Sequence, residues 1–203
     1  MTSEPGASAT YRDWNAHDRE NLRATWLALV GSSEGGPPTF RDEVIDPRKS
    51  GWVFERWVLE AFRLDGVQGY HRFASPMTTS GRTREEIDGL VYDGWQGFLI
   101  EAKNEGNRVG IDPIFRLHLM AEQRPIGTMG LMFSMSGFTD PAIELAERLR
   151  PIRILLFDRN DLDWAITPEG GMLAMVRRKW TLALRSGRPH IAVTESTPPF
   201  GEP

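Results

Sequence analysis

Three ionisable residues interrupt two apolar stretches of this chain and limit what those stretches can become. Asp88 lies within residues 86–92, and Glu101 and Lys103 lie within residues 98–103, with a turn containing glycine and tryptophan between them. Apolar runs on both sides of a short turn predict a β-hairpin, in which Asp88 lies across from the other two residues. Because a half-buried charge without a partner is unfavourable, the three groups need a common reason to be there.

Alternation along the second strand places Glu101 and Lys103 on one face and Ala102 on the other. The two carboxylates and the carbonyl of Ala102 are the kind of oxygen donors that Mg²⁺ prefers, and Lys103 would then face a substrate anion. A cross-strand pair of Lys103 with either carboxylate, on a solvated face, explains the same spacing. Lysine is rare in this chain, with three among 24 basic residues, and this favours a functional role for Lys103.

A further carboxylate, Glu55, lies on a helix predicted over residues 50–65, with Ser50 as its N-cap and Gly66 as its end. At about 100° per residue, Glu55 falls inside the apolar arc of this helix. A carboxylate that faces a core requires a cation or a network of hydrogen bonds. A boundary glutamate bonded to an arginine or to a backbone amide is the alternative.

These residues and their order resemble the PD-(D/E)xK nuclease superfamily, and within it the Mrr-type restriction endonucleases. The matching segments, in chain order, are Gly51-Trp52-Val53-Phe54-Glu55, Ile87-Asp88-Gly89, Glu101-Ala102-Lys103-Asn104 and Ser136-Gly137-Phe138-Thr139, followed by Ala142 and Ala146. The resemblance covers roughly residues 48–165. Ile87 stands where the family pattern has proline.

The resemblance implies a metal-dependent nuclease that hydrolyses phosphodiester bonds, with DNA as the expected substrate and RNA left open. Mg²⁺ would be the cofactor, replaceable by Mn²⁺, and its ligands would be Asp88, Glu101 and the carbonyl of Ala102. Lys103 would orient or deprotonate the attacking water, and Glu55 would hold a second metal ion or its water. The expected role is a DNA endonuclease effector of a restriction or anti-phage defence system.

The expected fold is α/β, with a restriction-endonuclease-like core of a central mixed sheet flanked by helices. Strand and helix patterns alternate after Lys103, as this class of fold requires. The core is expected at residues 40–165, between a helical arm at 1–34 and a basic helix with a tail at 166–203. A glycine- and proline-rich linker at 31–39 separates the arm from the core.

Four arginines are candidates for contact with a nucleic-acid backbone. Arg82 and Arg84 lie in a polar loop at residues 77–84, where a solvated loop tip is the simpler interpretation. Arg178 and Arg185 lie seven residues apart on one side of the predicted C-terminal helix. A docked terminal helix with a solvated basic side explains that pair as well.

Composition narrows the remaining possibilities. The 203 residues suit one domain with modest extensions, and the absence of cysteine excludes thiolate metal sites and disulfides. No apolar run approaches the ~20 residues of a membrane span, and the first ten residues lack the pattern of a signal peptide, so we expect a cytoplasmic protein without a membrane partner. A net charge of −4 argues against a nonspecific nucleic-acid coat but not against a nuclease, whose metal site is itself acidic.

Two other functions fit parts of the pattern. A catalytically silent nuclease fold could bind nucleic acid or act as a scaffold, and an acid/base pair of Asp88 and Glu101 could act on a sugar. The full set of Glu55, Asp88, Glu101 and Lys103 argues against the silent fold. The position of Lys103, two residues from Glu101, argues against action on a sugar. Because no zinc finger or helix-turn-helix pattern is present to recognise bases, we expect targeting by a second copy of the chain or by a separate sensor subunit. Trp14, Trp26 and Trp180 are the expected contacts.

Overall fold

The computed structural model describes residues 16–31, 39–40, 43–44, 50–76, 84–94 and 96–193. Within these ranges the helices are α1 (Ala16–Leu29), α2 (Ser50–Leu64), α3 (Ile111–Glu122), α4 (Asp140–Arg148), α5 (Arg159–Ala165) and α6 (Met172–Ser186). The strands are β1 (Thr39–Phe40), β2 (Glu43–Val44), β3 (Gln68–Pro76), β4 (Arg84–Tyr92), β5 (Gly97–Lys103), β6 (Met129–Ser134) and β7 (Ile154–Phe157). None of these helices is long and apolar enough to cross a membrane.

One five-stranded sheet organises the molecule, with its strands in the spatial order β3-β4-β5-β6-β7. The first three strands pair in antiparallel fashion, whereas β5, β6 and β7 are parallel. Parallel neighbours need crossover connections, and α3 and α4 supply them. The mixed sheet flanked by helices confirms the predicted α/β architecture.

Two apolar cores lie on opposite faces of the sheet. The larger core packs the sheet against α1, α2, α5 and α6, and includes Phe98, Ile100 and Ala102 from β5. The smaller core packs it against α3 and α4, and includes Leu99. The alternation predicted for β5 is therefore confirmed, and the odd-numbered residues of this strand face α3 and α4.

Helix α1 packs into the larger core. Trp26 is 1% exposed, and its ring stacks on that of Trp57 with the centroids 4.6 Å apart. Its Nε1 donates a hydrogen bond to Asp163 Oδ1 at 2.6 Å, and Nε1 of Trp57 donates to the carbonyl of Leu22 at 2.8 Å. The expectation that Trp26 contacts a partner from a thin extension is wrong, because burying its large ring stabilises the core instead.

The first turns of α3 and α4 are stabilised in different ways. Asp112 does not cap α3, whose N-cap is Gly110 without a side-chain hydrogen bond. The carboxylate lies in the first turn, where the positive end of the helix dipole favours it. The hydroxyl of Thr139 does cap α4, since it accepts a hydrogen bond from the backbone N–H of Ala142 at 3.3 Å.

Several predicted segments lie outside the described residues. They are residues 1–15 with Trp14, residues 32–38 of the predicted linker, and the tail at 194–203. The described parts of both extensions, α1 and α6, pack against the residues of the larger core.

A buried ion pair ties α6 to the sheet. Lys179 and Asp161 are both completely buried, and Lys179 Nζ lies 2.5 Å from Asp161 Oδ2. The same ammonium donates to the carbonyl of Leu156 at 2.6 Å, and Asp161 accepts from the backbone N–H groups of Val193 and Asp158 at 2.8 and 3.0 Å. Burial lowers the pKa of Lys179, and the charge of Asp161 opposes that shift.

We predict that Lys179→Met lowers the free energy of unfolding by about 3 kcal/mol, because a buried carboxylate loses its counter-charge while the side-chain volume is kept. Arg185→Met, an exposed change on the same helix, is the matched control and should shift stability by less than about 0.5 kcal/mol. Urea unfolding followed by circular dichroism measures both. A loss below about 1 kcal/mol for Lys179→Met would contradict this role.

Candidate active site

The hairpin of β4 and β5 opens where the predicted site residues begin. Its ladder ends at the pair Gly89↔Ile100, and the next backbone donor, the N–H of Ala102, bonds to Asp88 Oδ2 at 2.9 Å. The backbone carbonyl of Lys103 accepts a hydrogen bond from the N–H of Met135, at the end of β6. Consecutive residues of a strand point their backbone groups toward opposite neighbouring strands. The N–H and the carbonyl of Ala102 therefore both project toward Asp88.

Glu101 and Lys103 lie beside this opening as an ion pair. Lys103 Nζ is 2.7 Å from Glu101 Oε1, and Glu101 is only 7% exposed. Burial lowers the pKa of Lys103, but its hydrogen bond to Glu101 and the surrounding negative charge outweigh that effect and raise the pKa above its ordinary value. Lys103 is consequently held as a cation.

Asp88 is the carboxylate whose ionisation this site disfavours. Burial and the negative charge of Glu101 raise the pKa of Asp88 to about 6, and the charge of Glu55 adds to the shift. The N–H of Ala102 and the charge of Lys103 act in the opposite direction. One lysine therefore leaves the negative charge around Asp88 incompletely balanced.

Glu55 reaches the same neighbourhood from α2, on the other side of the sheet. It is 8% exposed, its Oε2 lies 3.8 Å from Nε2 of His71 on β3, and its charge acts on Asp88. A Cβ at Gly89 would come within 2.7 Å of Leu59 Cδ2 on α2. The glycine that follows Asp88 thus lets α2 approach β4 closely enough for the charge of Glu55 to act on Asp88.

Polar residues at the end of β6 have structural partners. The hydroxyl of Ser134 donates to the carbonyl of Gly137 at 2.9 Å, and the hydroxyl of Ser136 donates to the carbonyl of Glu105. The first bond closes the turn after β6, and the second connects the loop after β5 to the loop after β6.

Arg178 and Arg185, the two predicted nucleic-acid arginines among the described side chains, lie on α6 and away from the carboxylates. The guanidinium of Arg178 lies over the ring of Trp164, 4.5 Å from its centroid, and Arg185 is exposed further along α6. This helix covers the face of the larger core, whereas Glu101 and Lys103 project from the opposite face. Arg82 and the side chain of Arg84 lie outside the described residues.

The amino-acid sequence of the sheet and its flanking helices identifies the family of this chain. A family model, Mrr_cat, described as restriction endonuclease, matches residues 48–165, which is more than half of the chain. The chain belongs to this restriction endonuclease family. The matched range contains the opened hairpin and α2, and so includes every acidic residue discussed above. No curated protein matches the chain.

Two solved structures are similar to this chain. The crystal structure of AF1548, a protein of unknown function, has 14% sequence identity and a TM-score of 0.40, and the match covers 66% of this chain and 76% of that one. The MspJI restriction endonuclease in complex with a 27-mer oligonucleotide has 16% identity and a TM-score of 0.36, with 96% of this chain and 41% of MspJI covered. The chain thus spans less than half the length of MspJI.

Restriction endonuclease domains generally use divalent metal ions, and the donor atoms here fit such an ion. Two carboxylates and one backbone carbonyl are hard oxygen ligands. The pKa of Asp88 is raised by burial first and by the charges of Glu101 and Glu55 second, and a bound cation would oppose both effects. Among the described side chains, no three His, Asp or Glu residues form a group that could hold a metal ion. A divalent ion at this place would have Asp88, Glu101 and the carbonyl of Ala102 as its candidate ligands.

Sequence reasoning missed His71. Its pairing with Gly89 across β3 and β4 places it one residue from Asp88 in register, and its imidazole lies beside Glu55. An isolated histidine in a strand carries no periodic signal. Only the register of β3 on β4 could have identified it, and the sequence does not specify that register.

The raised pKa of Asp88 predicts a pH-dependent stability of the metal-free protein. The folded state binds a proton at this carboxyl more tightly than the unfolded state, so lowering the pH from 8 to about 5 stabilises the native protein. Asp88→Asn, which retains an acceptor for the N–H of Ala102, should be more stable than the native protein at pH 8. That advantage should shrink by about 1–2 kcal/mol at pH 5, after allowance for partial exposure.

Urea unfolding in EDTA at several pH values measures this difference between the variant and the native protein. Glu169→Gln, at an exposed carboxylate, serves as the control and should follow the native protein across the range. A stability difference for Asp88→Asn that is the same at pH 5 and pH 8 would show that Asp88 is not the titrating group.

Proposed function

We propose that this protein is a Mg²⁺-dependent DNA endonuclease that acts as an effector in a restriction or anti-phage defence system, with Mn²⁺ able to replace Mg²⁺. The observation that carries the proposal is the convergence of Asp88, Glu101 and Lys103 where β4 and β5 separate, within a chain of a restriction endonuclease family. Restriction endonucleases cleave DNA, which favours DNA over RNA.

Asp88 and Glu101, with the carbonyl of Ala102, are the residues that would hold the metal ion. A bound divalent ion would neutralise charge on the scissile phosphate and lower the pKa of the attacking water. The backbone N–H of Ala102 fixes the orientation of the Asp88 carboxylate through a 2.9 Å hydrogen bond. This hydrogen bond preorganises the Asp88 carboxylate for the ion.

Lys103 acts in this proposal as a fixed positive charge. Its raised pKa keeps the ammonium protonated at neutral pH, so Lys103 orients the attacking water and stabilises negative charge that develops on the phosphate. A role as a general base would require a lowered pKa. Of the two roles expected from the sequence, the charge of Lys103 supports orientation rather than deprotonation.

Glu55 completes the acidic cluster, and we assign it a supporting role through His71. The Glu55 carboxylate lies 3.8 Å from the imidazole and contributes negative potential at Asp88. It would hold a second cation or order water near the first. The three acidic residues together attract cations to the opening in the hairpin.

A catalytically silent nuclease-fold subunit is the second candidate. The specific observation in its favour is that Glu101 is engaged with Lys103 at 2.7 Å, so one ligand must leave its partner before a metal ion binds. Such a subunit would bind DNA or act as a scaffold without cleaving it. Retention of all four residues, Glu55, Asp88, Glu101 and Lys103, favours catalysis.

In this proposal, a partner directs the protein to its target DNA. Residues 40–165 form the catalytic unit, with 1–34 and 166–203 as extensions to it. Contact with DNA is assigned to Arg82, Arg84, Arg178 and Arg185, which meet phosphates rather than base edges. Sequence selection or activation would come from a second copy of the chain or from a separate sensor subunit.

We predict that Asp88→Ala and Lys103→Ala each reduce cleavage at least about 100-fold, because the first removes a metal ligand and the second removes charge stabilisation. Plasmid DNA and RNA are incubated with purified protein in Mg²⁺, Mn²⁺ or EDTA, and circular dichroism confirms the fold. Glu144→Ala, on the exposed side of α4, is the control and should cleave like the native protein. Cleavage by either site variant at near the native rate would refute the assignment.

The silent alternative gives a different result in the same assay. It predicts no cleavage of either nucleic acid in any metal, together with DNA binding that survives both site substitutions. Cleavage of RNA but not of plasmid DNA would support the same mechanism with RNA as the substrate.

We also predict that Glu55→Gln lowers cleavage about 10-fold and raises the melting temperature in EDTA, because the buried carboxylate contributes to repulsion at Asp88. Thermal unfolding and the plasmid assay measure the two effects on one preparation. Glu122→Gln, at the exposed end of α3, is the matched substitution. A lower melting temperature with unchanged cleavage would make Glu55 a structural residue.

A further inference from the structure

A groove of about 830 Å³ lies at the end of the sheet opposite to the hairpin opening. It begins at Phe98, three residues before Glu101 on β5, so the two sites are separated by about 10 Å of strand. The turn after β4 and the first residues of β6 and β7 line it, together with α6. The groove therefore shares strands with the nuclease site but none of its residues.

The floor of the groove belongs to the larger core. Phe98, Met129, Leu155 and Val176 line it and are each at most 4% exposed. The walls are also apolar but accessible, and include Trp180 and the 97% exposed side chain of Ile126. A volume of this size lies within the range of about 300–1,000 Å³ that is typical of sites for small organic ligands.

Two arginines stand at the edge of these apolar walls. Arg153 and Arg177 both line the groove, and no described carboxylate lies within ion-pair distance of either one. The Nε of Arg153 is buried and has no hydrogen-bond partner among the described residues. Such a donor is unfavourable when it is left unsatisfied. Asp93 is the one acidic residue of the described lining, so the lining carries a net positive charge.

We propose that this groove is a binding site for a small amphipathic anion, a ligand with an aliphatic or aromatic body and a carboxylate, sulfonate or phosphate group. The body lies against Phe98, Trp180 and Ile126, and the anionic group pairs with Arg153 and Arg177. Charge-assisted bonds from guanidinium groups are strong where apolar walls exclude water. The site is independent of catalysis and does not depend on whether Asp88 and Glu101 support cleavage.

The experiment uses anilinonaphthalene sulfonate, an aromatic sulfonate that becomes fluorescent in apolar sites. It is titrated into the full chain and then displaced with three amphiphiles of one chain length: decanoate, decanol and decyltrimethylammonium. We expect saturable binding of the sulfonate, and displacement by decanoate at concentrations at least about 10-fold below those of the other two, which corresponds to about 1.4 kcal/mol.

Charge changes at Ile126 localise the ligand without disturbing the core, because that side chain is 97% exposed. Ile126→Asp should weaken decanoate at least about 10-fold, whereas Ile126→Lys should retain or strengthen it. The double variant with Arg153→Met and Arg177→Met should lose the preference for the anion. A control with Arg148→Met and Arg185→Met, which removes two arginines outside the groove, should keep it. Urea unfolding confirms that all four proteins fold.

Two outcomes would overturn the proposal. The first is the absence of saturable binding below about 1 mM, which would leave the groove to a protein segment rather than a small ligand. The second is equal displacement by the anionic, neutral and cationic amphiphiles, or equal behaviour of Ile126→Asp and Ile126→Lys. Either result would make the groove an apolar surface without charge selectivity.

Discussion

The hydrogen bond from the N–H of Ala102 to the side chain of Asp88 is the contact on which the site depends. It replaces the backbone pairing that would otherwise continue the ladder beyond Gly89↔Ile100. The strands separate there, and the carbonyl of Ala102 projects into the opening beside two carboxylates. A continuous hairpin would have used that carbonyl in the sheet and would have held Asp88 and Glu101 only as neighbouring surface charges.

The surrounding fold keeps this opening in place. Helix α2 approaches β4 over Gly89, which brings Glu55 to the carboxylates from the second face of the sheet. Repulsion among the acidic residues opposes this arrangement, and the apolar cores on both faces of the sheet provide the stability that offsets it. The buried ion pair of Lys179 and Asp161 holds α6 against β7 and α5.

The fold and the hairpin site were predictable because their signals are local. The run from Asp88 to Lys103 contains both strands, the turn and the charges, and one alternating pattern assigned each side chain to a face. The burial of Trp26 and Lys179 was not predictable, because their partners, Trp57 and Asp161, lie far away in the chain. The position of His71 beside Glu55 was not predictable for the same reason. The charged groove needs residues from β5, β6, β7 and α6 at once, and no single segment reveals it.

A cation site at the opening of the hairpin is the central claim. Burial and the charges of Glu101 and Glu55 disfavour the ionisation of Asp88, and a bound cation would change its pKa. Carbon-detected NMR of the Asp88 carboxyl, titrated from pH 4 to pH 8 in EDTA and again in Mg²⁺, gives that value in both states. The account predicts a pKa of about 6 without metal and a fall of at least about one unit when a cation binds between Asp88 and Glu101. A pKa that does not change in saturating Mg²⁺ or Mn²⁺ would contradict it.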